Sequence, residues 1–244
     1  MRLVGNFDAQ RASFERAAPE HFDWQTRAAV VADEERALVQ AAFLPLGKRV
    51  LDLGCGEGAT LYHLGAPAGS VGVDLFPQKV AFAARTLPRC DFRQASAYAL
   101  PFEEGRFDQV LIRDLLHHLE EPERCLDECA RVLEPGGRVD VLEPCRYNPL
   151  VFAHAVANRA ERGELRSTEP FLRRTLERRF RFVSSQHLQP FPLHRIVYHP
   201  ELGKPRLAES RSIRALVASL ERAAQRIVPR FAWAYVHVRV VLRD

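Results

Sequence analysis

The chain lacks several features that would have narrowed its class at once. It has no run of about 18 apolar residues, so no membrane-spanning helix is expected. The opening stretch, MRLVGNFDAQRASFERAAPE, holds no apolar signal core, so secretion is not expected either. Cysteine is sparse. Cys55, Cys90, Cys125, Cys129 and Cys145 make an odd set without a C-x-x-C, which reads as the reduced cytoplasm. Cys125 and Cys129 share a helix face, but no further ligands stand near them in sequence, so they read as packing residues rather than zinc ligands. Repeats and low-complexity linkers are absent. Lysine is nearly so, at three of the 35 basic residues. Glycine is depleted in the second part of the chain: 11 of the 13 lie before residue 146.

What is present is an ordinary globular composition. The 244 residues are 47% hydrophobic and 27% charged, enough for one generous domain with a sizeable core. The formal charge of +4 conceals a division. Residues 1–145 carry 16 Lys+Arg against 23 Asp+Glu, and residues 146–244 carry 19 against 8. The basic part reads either as exposed arginines serving solubility or as a surface for an anionic partner.

Alternating patterns run through the first part. Residues 10–44 have helical spacing, broken near Pro19. Strands are expected at Arg49–Leu53, Ser70–Asp74, Cys90–Gln94, Phe107–Ile112 and Arg138–Leu142, with helices between them, including Pro77–Leu87 and Pro122–Leu133. Such alternation predicts a parallel sheet with helices on both faces and ligands beyond the carboxyl ends of the strands. After Leu142 the pattern loosens. Helices are expected at Leu150–Arg162, from a Ser167 cap to Arg178, and at Ile213–Ile227, the last packing its apolar face on the sheet. Strands are expected at Phe180–Ser185 and Tyr235–Leu242, with a proline-rich irregular excursion over 186–206.

The sharpest motif is VLDLGCGEG at 50–58, a strand feeding a glycine turn and then a helix. Glycines there allow positive φ and a close ligand approach. The third glycine of a dinucleotide fingerprint is missing, because Gly65 lies too far along. Asp74 ends the next strand, 20 residues after Gly54, where a carboxylate can accept both ribose hydroxyls of a nucleoside. Asp52, just before the turn, would repel a pyrophosphate but suits a cationic group. That favours S-adenosylmethionine over a nicotinamide dinucleotide.

With VGVD (71–74), ALPFEEGRFDQV (99–110), LLHHLEEPERCLDECARVLEPGG (115–137) and the strand ending in Glu143-Pro144, the chain resembles class I S-adenosylmethionine-dependent methyltransferases. It is most similar to the small-molecule type 11 group that includes quinone-ring methyltransferases. The resemblance covers roughly 45–145 well and the last hundred residues poorly. It implies a Rossmann-like doubly wound sheet of about seven strands, mostly parallel with an antiparallel last strand, plus a helical cap. It divides one methyltransferase domain into a helical lid (1–45), a cofactor core (46–145) and an acceptor-site cap with the final strands (146–244).

By the same resemblance, Asp52, Gly54, Cys55 and Gly56 would meet the methionine end of the cofactor, and Asp74 would hold the ribose. Leu75 would lie against the adenine, Ser96 and Ala97 at its edge, and the Arg113 carbonyl at the ammonium. The family often has Asp where this chain has Ser96, which puts one adenine contact in doubt. Methyl transfer needs alignment, exclusion of water and sometimes a base. Candidates for the base are Asp114, His117, His118 and Glu143. Glu143 could equally cap a loop, and His117 could equally be structural. Arg146, Tyr147, His154 and Arg159 are the candidates for acceptor binding. Phe22 and Trp24 could cover the cofactor or simply pack. No metal site is expected, because His187, His194 and His199 do not have ligand spacing.

The expected acceptor is a small, partly apolar and acidic metabolite: phenolic, polyketide or lipid-like. The competing readings are a non-catalytic cofactor-binding protein, a nicotinamide-dependent oxidoreductase and a nucleic-acid methyltransferase. The last lacks an Asn/Asp-Pro-Pro-Tyr run and an RNA-binding module. Peripheral membrane contact is not favoured, and a monomer or homodimer is expected.

Overall fold

The computed structural model describes residues 19–199 and 203–243. Two helices open it, α1 (Pro19–Arg27) and α2 (Ala29–Phe43). The break between them falls at Ala28, whose ψ of 100° leaves the helical region. The part of the expected 10–44 helix before Pro19 lies outside the described residues.

Seven strands form one sheet: β1 (Val50–Leu53), β2 (Val71–Asp74), β3 (Asp91–Gln94), β4 (Phe107–Arg113), β5 (Leu133–Pro144), β6 (Phe180–Leu188) and β7 (Tyr235–Leu242). Their order is β3-β2-β1-β4-β5-β7-β6. β1 pairs in parallel with both β2 and β4, while β7 runs antiparallel to β5 and to β6. The chain thus winds outward in one direction from β1 and then in the other, which leaves a crevice at the carboxyl ends of β1 and β4. β1 is buried throughout and β4 nearly so, as central parallel strands covered on both faces must be.

Helices α3 (Ala59–His63), α4 (Pro77–Thr86) and α5 (Pro122–Val132) follow β1, β2 and β4. On one face α2 buries Leu38, Val39, Ala42 and Phe43 against Val50, Leu111, Leu142 and Tyr235. On the other, α5 and α7 (Glu169–Leu176) bury Cys125, Leu126, Cys129, Leu172 and Leu176. All five cysteines are free and buried. Within the sheet, fully buried Asp140 accepts from Gln109 Nε2 (2.8 Å), His237 Nε2 (3.0 Å) and Arg239 Nε (2.5 Å), tying β4, β5 and β7 together.

The second part departs from expectation in four places. The helix expected over Leu150–Arg162 is α6 (Pro149–Ala157), followed by a 3₁₀ segment over Arg159–Arg166. Asn158 makes the break, because its side chain caps Ala160 N instead of continuing the helix. The cap of α7 is Thr168, accepting from Phe171 N, rather than Ser167. The excursion over 186–206 contains the tail of β6, a short helix α8 (His194–Val197) and the start of a 3₁₀ turn. Finally, α9 (Arg211–Ile227) does not pack on the sheet. Its Val217 and Ile213 join Trp24, Val31 and Tyr198 in a separate cluster, while Leu216, Leu220 and Ile227 stay exposed. The α1–α2 hairpin and the excursion stand where the sheet face was expected, so α9 has only them to cover.

Candidate active site

The turn after β1 is built on backbone. Gly54 N and Cys55 N donate to Val73 O at 2.8 and 3.0 Å, closing the turn onto β2. Gly54 and Gly56 have φ of 79° and 52°, a region that disfavours side chains. A Cβ on Gly56 would meet nothing within 4 Å, so this part of the turn faces open space. Asp74 is pinned across it: Oδ2 accepts from Gly56 N and Oδ1 from Phe76 N, both at 2.9 Å. Leu75 lies beside it, half exposed. At the end of β3, Ser96 Oγ accepts from Tyr98 N at 3.2 Å, so its hydroxyl is engaged in its own turn, next to Ala97.

Asp52 lies beneath the turn, 1% exposed, and its Oδ2 has no hydrogen-bond partner. Burial raises its carboxyl to about 7, helped by Asp74 and opposed by Arg113. Burial, then Asp52 and Asp74, also push the Cys55 thiol well above its ordinary value, which keeps it protonated. An orphaned buried acid and a turn open to solvent are what a cationic, ribose-bearing ligand would satisfy, so the residues fit S-adenosylmethionine.

The loop after β4 is held at both its amides and its carbonyls. Glu143, at the end of β5 and fully buried, accepts from Leu115 N and Leu116 N (2.8 Å each) and His117 N (3.2 Å). Its Oε2 is also 2.6 Å from His117 Nδ1. From the other side, Arg166 donates to the carbonyls of Leu116 (3.1 Å) and His117 (3.4 Å), and to that of Leu119. Burial opposes charge on both Glu143 and His117, but their mutual attraction holds Glu143 low and His117 high. His118 is forced down to about 3 by burial and by His117. Glu143 is therefore placed to cap and orient, with both oxygens taken. Asp114, at φ 51°, has Oδ2 3.3 Å from Arg113 Nε, and burial raises its carboxyl. Leu115 packs under Gly54, which joins this loop to the glycine turn.

A buried ionic group backs the site. Glu35 of α2 is fully buried and binds Arg113 Nη2 (2.5 Å) as well as Arg195 Nε and Nη2 (2.7 Å each). Arg195 also donates to the Tyr235 hydroxyl. Burial alone would raise Glu35, but the two arginines hold it at about 2. Sequence reasoning passed over Glu35, Glu161, Arg195 and Tyr235. Glu35 sits in an acidic run that reads as a solvated helix face, and Arg195 sits in the proline-rich excursion, so no local signal marks them.

The four acceptor candidates are not brought together. Arg146 and Tyr147 are exposed neighbours beyond β5, with the Tyr147 ring 6.1 Å from Phe231. His154 instead faces Glu164 at 3.4 Å, and Arg159 is exposed. Phe22 and Trp24 are both buried. Phe22 lies between Tyr62 and Phe82, and Trp24 lies against His199.

Comparison with known proteins agrees with this geometry. Residues 51–140 match a family described as a methyltransferase domain. Over these residues the chain carries a methyltransferase domain. The chain is 39% identical over 115 residues to a demethylmenaquinone methyltransferase of Thermus thermophilus, covering 44% of this chain and 52% of that protein. It is 35% identical over 126 residues to a ubiquinone biosynthesis O-methyltransferase of Xanthomonas axonopodis, covering 48% and 52%. The chain therefore spans about half the length of these curated relatives. Among solved structures, a methyltransferase of Thermotoga maritima, described as a possible histamine N-methyltransferase, superposes with a TM-score of 0.68 at 19% identity, covering 96% of this chain and all of that one. That likeness concerns the fold. Among the described residues no helix is long and apolar enough to cross a membrane.

Proposed function

We propose that the chain transfers a methyl group from S-adenosylmethionine to a small-molecule acceptor, releasing S-adenosylhomocysteine. The observation that carries this reading is the orphaned Asp52 carboxylate beneath a glycine turn that Asp74 spans. In this reading Asp74 holds the ribose hydroxyls, and Asp52 with the Gly54–Gly56 turn receives the methionine end. Leu75, Ser96 and Ala97 border the adenine, and the Arg113 carbonyl faces the ammonium. When bound, the cofactor supplies a methyl already activated on a sulfonium. The protein then has to position and to exclude water. Glu143 and Arg166 do this by fixing the loop after β4 before any ligand arrives.

The acceptor is proposed to be partly apolar and acidic. Tyr147 and Phe231 offer an exposed aromatic wall at the carboxyl end of β5, with Arg146 over the Tyr147 ring at 5.8 Å. A quinone-like or phenolic body with an acidic group fits that chemistry, and the two curated relatives named above carry quinone names. His154 and Arg159 are proposed only for the outer rim. An untargeted metabolite screen tests this reading. A cofactor-dependent mass gain of one methylene on an aromatic or lipid-like acid is expected, and no methylated product in any extract would contradict it.

A further inference from the structure

Three side chains outside the cofactor turn converge at the loop after β4. The donor atoms of His117, His118 and Glu161 lie within 4.8 Å of one another. Glu161 Oε2 is 3.5 Å from His117 Nε2 and 3.7 Å from His118 Nε2. Donors about 2.1 Å from one ion sit roughly 3.0–3.4 Å apart at tetrahedral or octahedral angles, so the two histidine-to-Glu161 separations need shorten only slightly to share one ion. His117 is 4% exposed and its Nε2 points into the cluster, where Glu161 Oε2 is its charged neighbour. Its other ring nitrogen is held by Glu143 at 2.6 Å. A carboxylate on Nδ1 fixes the tautomer whose Nε2 can ligate, which is the second-layer arrangement of histidine metal ligands.

The backbone makes the approach possible. A Cβ on Gly163 would lie 1.8 Å from His117 O, so only glycine lets the Arg159–Arg166 segment come this close and deliver Glu161. The two imidazole rings are 3.9 Å apart, centroid to centroid.

We propose that His117, His118 and Glu161 bind one divalent first-row transition cation, whose open positions take a hydroxyl oxygen of the acceptor. Two imidazoles and one carboxylate are a donor set for zinc, iron or cobalt rather than magnesium, which takes oxygen ligands. The cation would take the place of a proton on His117 Nε2. The site lies on the loop whose Leu115 packs under Gly54, beside the glycine turn. The acceptor class is then a phenol or a vicinal diol methylated on oxygen. Sequence reading expected no metal because the histidines it weighed for one were His187, His194 and His199. Glu161 lies more than forty residues from the His117-His118 pair and is joined to it only by the fold.

The acceptor part rests on the methyltransferase reading, whereas metal binding does not, and the experiment separates them. Chelator-treated protein is titrated with Zn²⁺ by calorimetry, and with Co²⁺ by visible absorption, each alone and then with S-adenosylmethionine. One equivalent of Zn²⁺ should bind at micromolar affinity or better, with Mg²⁺ much weaker. His118→Ala and Glu161→Gln should each weaken zinc at least about tenfold, and Glu143→Gln by roughly 10–100-fold through His117. His118→Ala and Glu161→Gln alter partly exposed side chains, and a circular dichroism melt confirms that each variant is folded. Catechol added to the cobalt-loaded protein should shift the visible bands. Absent zinc binding, or binding unchanged in both folded variants, would overturn the site. Cobalt bands unmoved by catechol would overturn its acceptor role. Zinc binding intact while S-adenosylmethionine fails to bind would overturn the cofactor reading and leave the metal site standing.

Discussion

Burial raises Asp52 to about 7, so in the cofactor-free protein its charge is only half developed at neutral pH. The folded value stands above the ordinary carboxyl value of 3.8. Between those values the folded chain holds a proton that the unfolded chain has lost, so this group's contribution to stability falls as pH rises across that window and levels off above it. Asp52→Asn removes the cost. It should raise the melting temperature of the free protein by several degrees at about pH 8, with a smaller gain near pH 5.5, at roughly 2–4 °C per kcal/mol for a chain this size. A thermal melt at the two pH values checks this. A cationic cofactor favours the ionised form, so S-adenosylmethionine affinity should rise with pH through about 7 in the native protein. In Asp52→Asn it should be weaker and lack that dependence.

Between elements, Glu35 and Glu143 join what Asp140 does not. Glu35 connects α2 to β4 and α8, and its carboxyl is held at about 2 against an ordinary value of 4.5. Its contribution is therefore complete above the unfolded value and is lost as pH falls towards the folded one. Removing one partner of a buried ion pair typically costs about 3–5 kcal/mol, because the other charge is left unpaired. Glu35→Gln should thus lower the melting temperature by roughly 6–20 °C at neutral pH, and the deficit should shrink in acid. Glu143 joins β5 to the loop after β4. Glu143→Leu should speed hydrogen exchange of the Leu115–His117 amides by at least about tenfold, because three donors lose their acceptor.

These two residues also show what could be read from sequence and what could not. Glu143 announces itself as the last polar residue of a strand before a proline, so its place at the sheet's carboxyl edge was legible. Its partners, the backbone amides of a loop 26 to 28 residues earlier, were not. Glu35 looks like any acidic residue on a helix face, and only the fold brings Arg195, 160 residues away, onto it.

At the scale of the whole molecule, β1 to β4 were legible to within a residue at each end, whereas β5 begins at Leu133, five residues before the expected Arg138, and takes in the Glu134–Gly137 run expected to be a turn. The central strands β1, β2 and β4 are apolar runs, and each β-α-β unit is local. The second part was read less well, because its helices are set by side-chain caps at Asn158 and Thr168, and because α9 packs on α1 and α2 rather than on the sheet. The charge division follows the same line. The acidic part carries the β1 and β2 carboxylates at the glycine turn, while the basic part supplies half-buried Arg166 and Arg195, which hold the loop after β4 and Glu35, along with exposed arginines. The +11 of residues 146–244 is thus partly structural.

The central claim is that Asp52, the glycine turn and Asp74 bind S-adenosylmethionine. Calorimetric titration of the native chain and of Asp74→Ala tests it most directly. Saturable one-site binding is expected for S-adenosylmethionine and S-adenosylhomocysteine. Loss of the ribose carboxylate should weaken both about 10–100-fold, as charge-assisted hydrogen bonds worth roughly 1.5–3 kcal/mol disappear. No measurable binding of either ligand to the native chain, or undiminished affinity in Asp74→Ala, would contradict it.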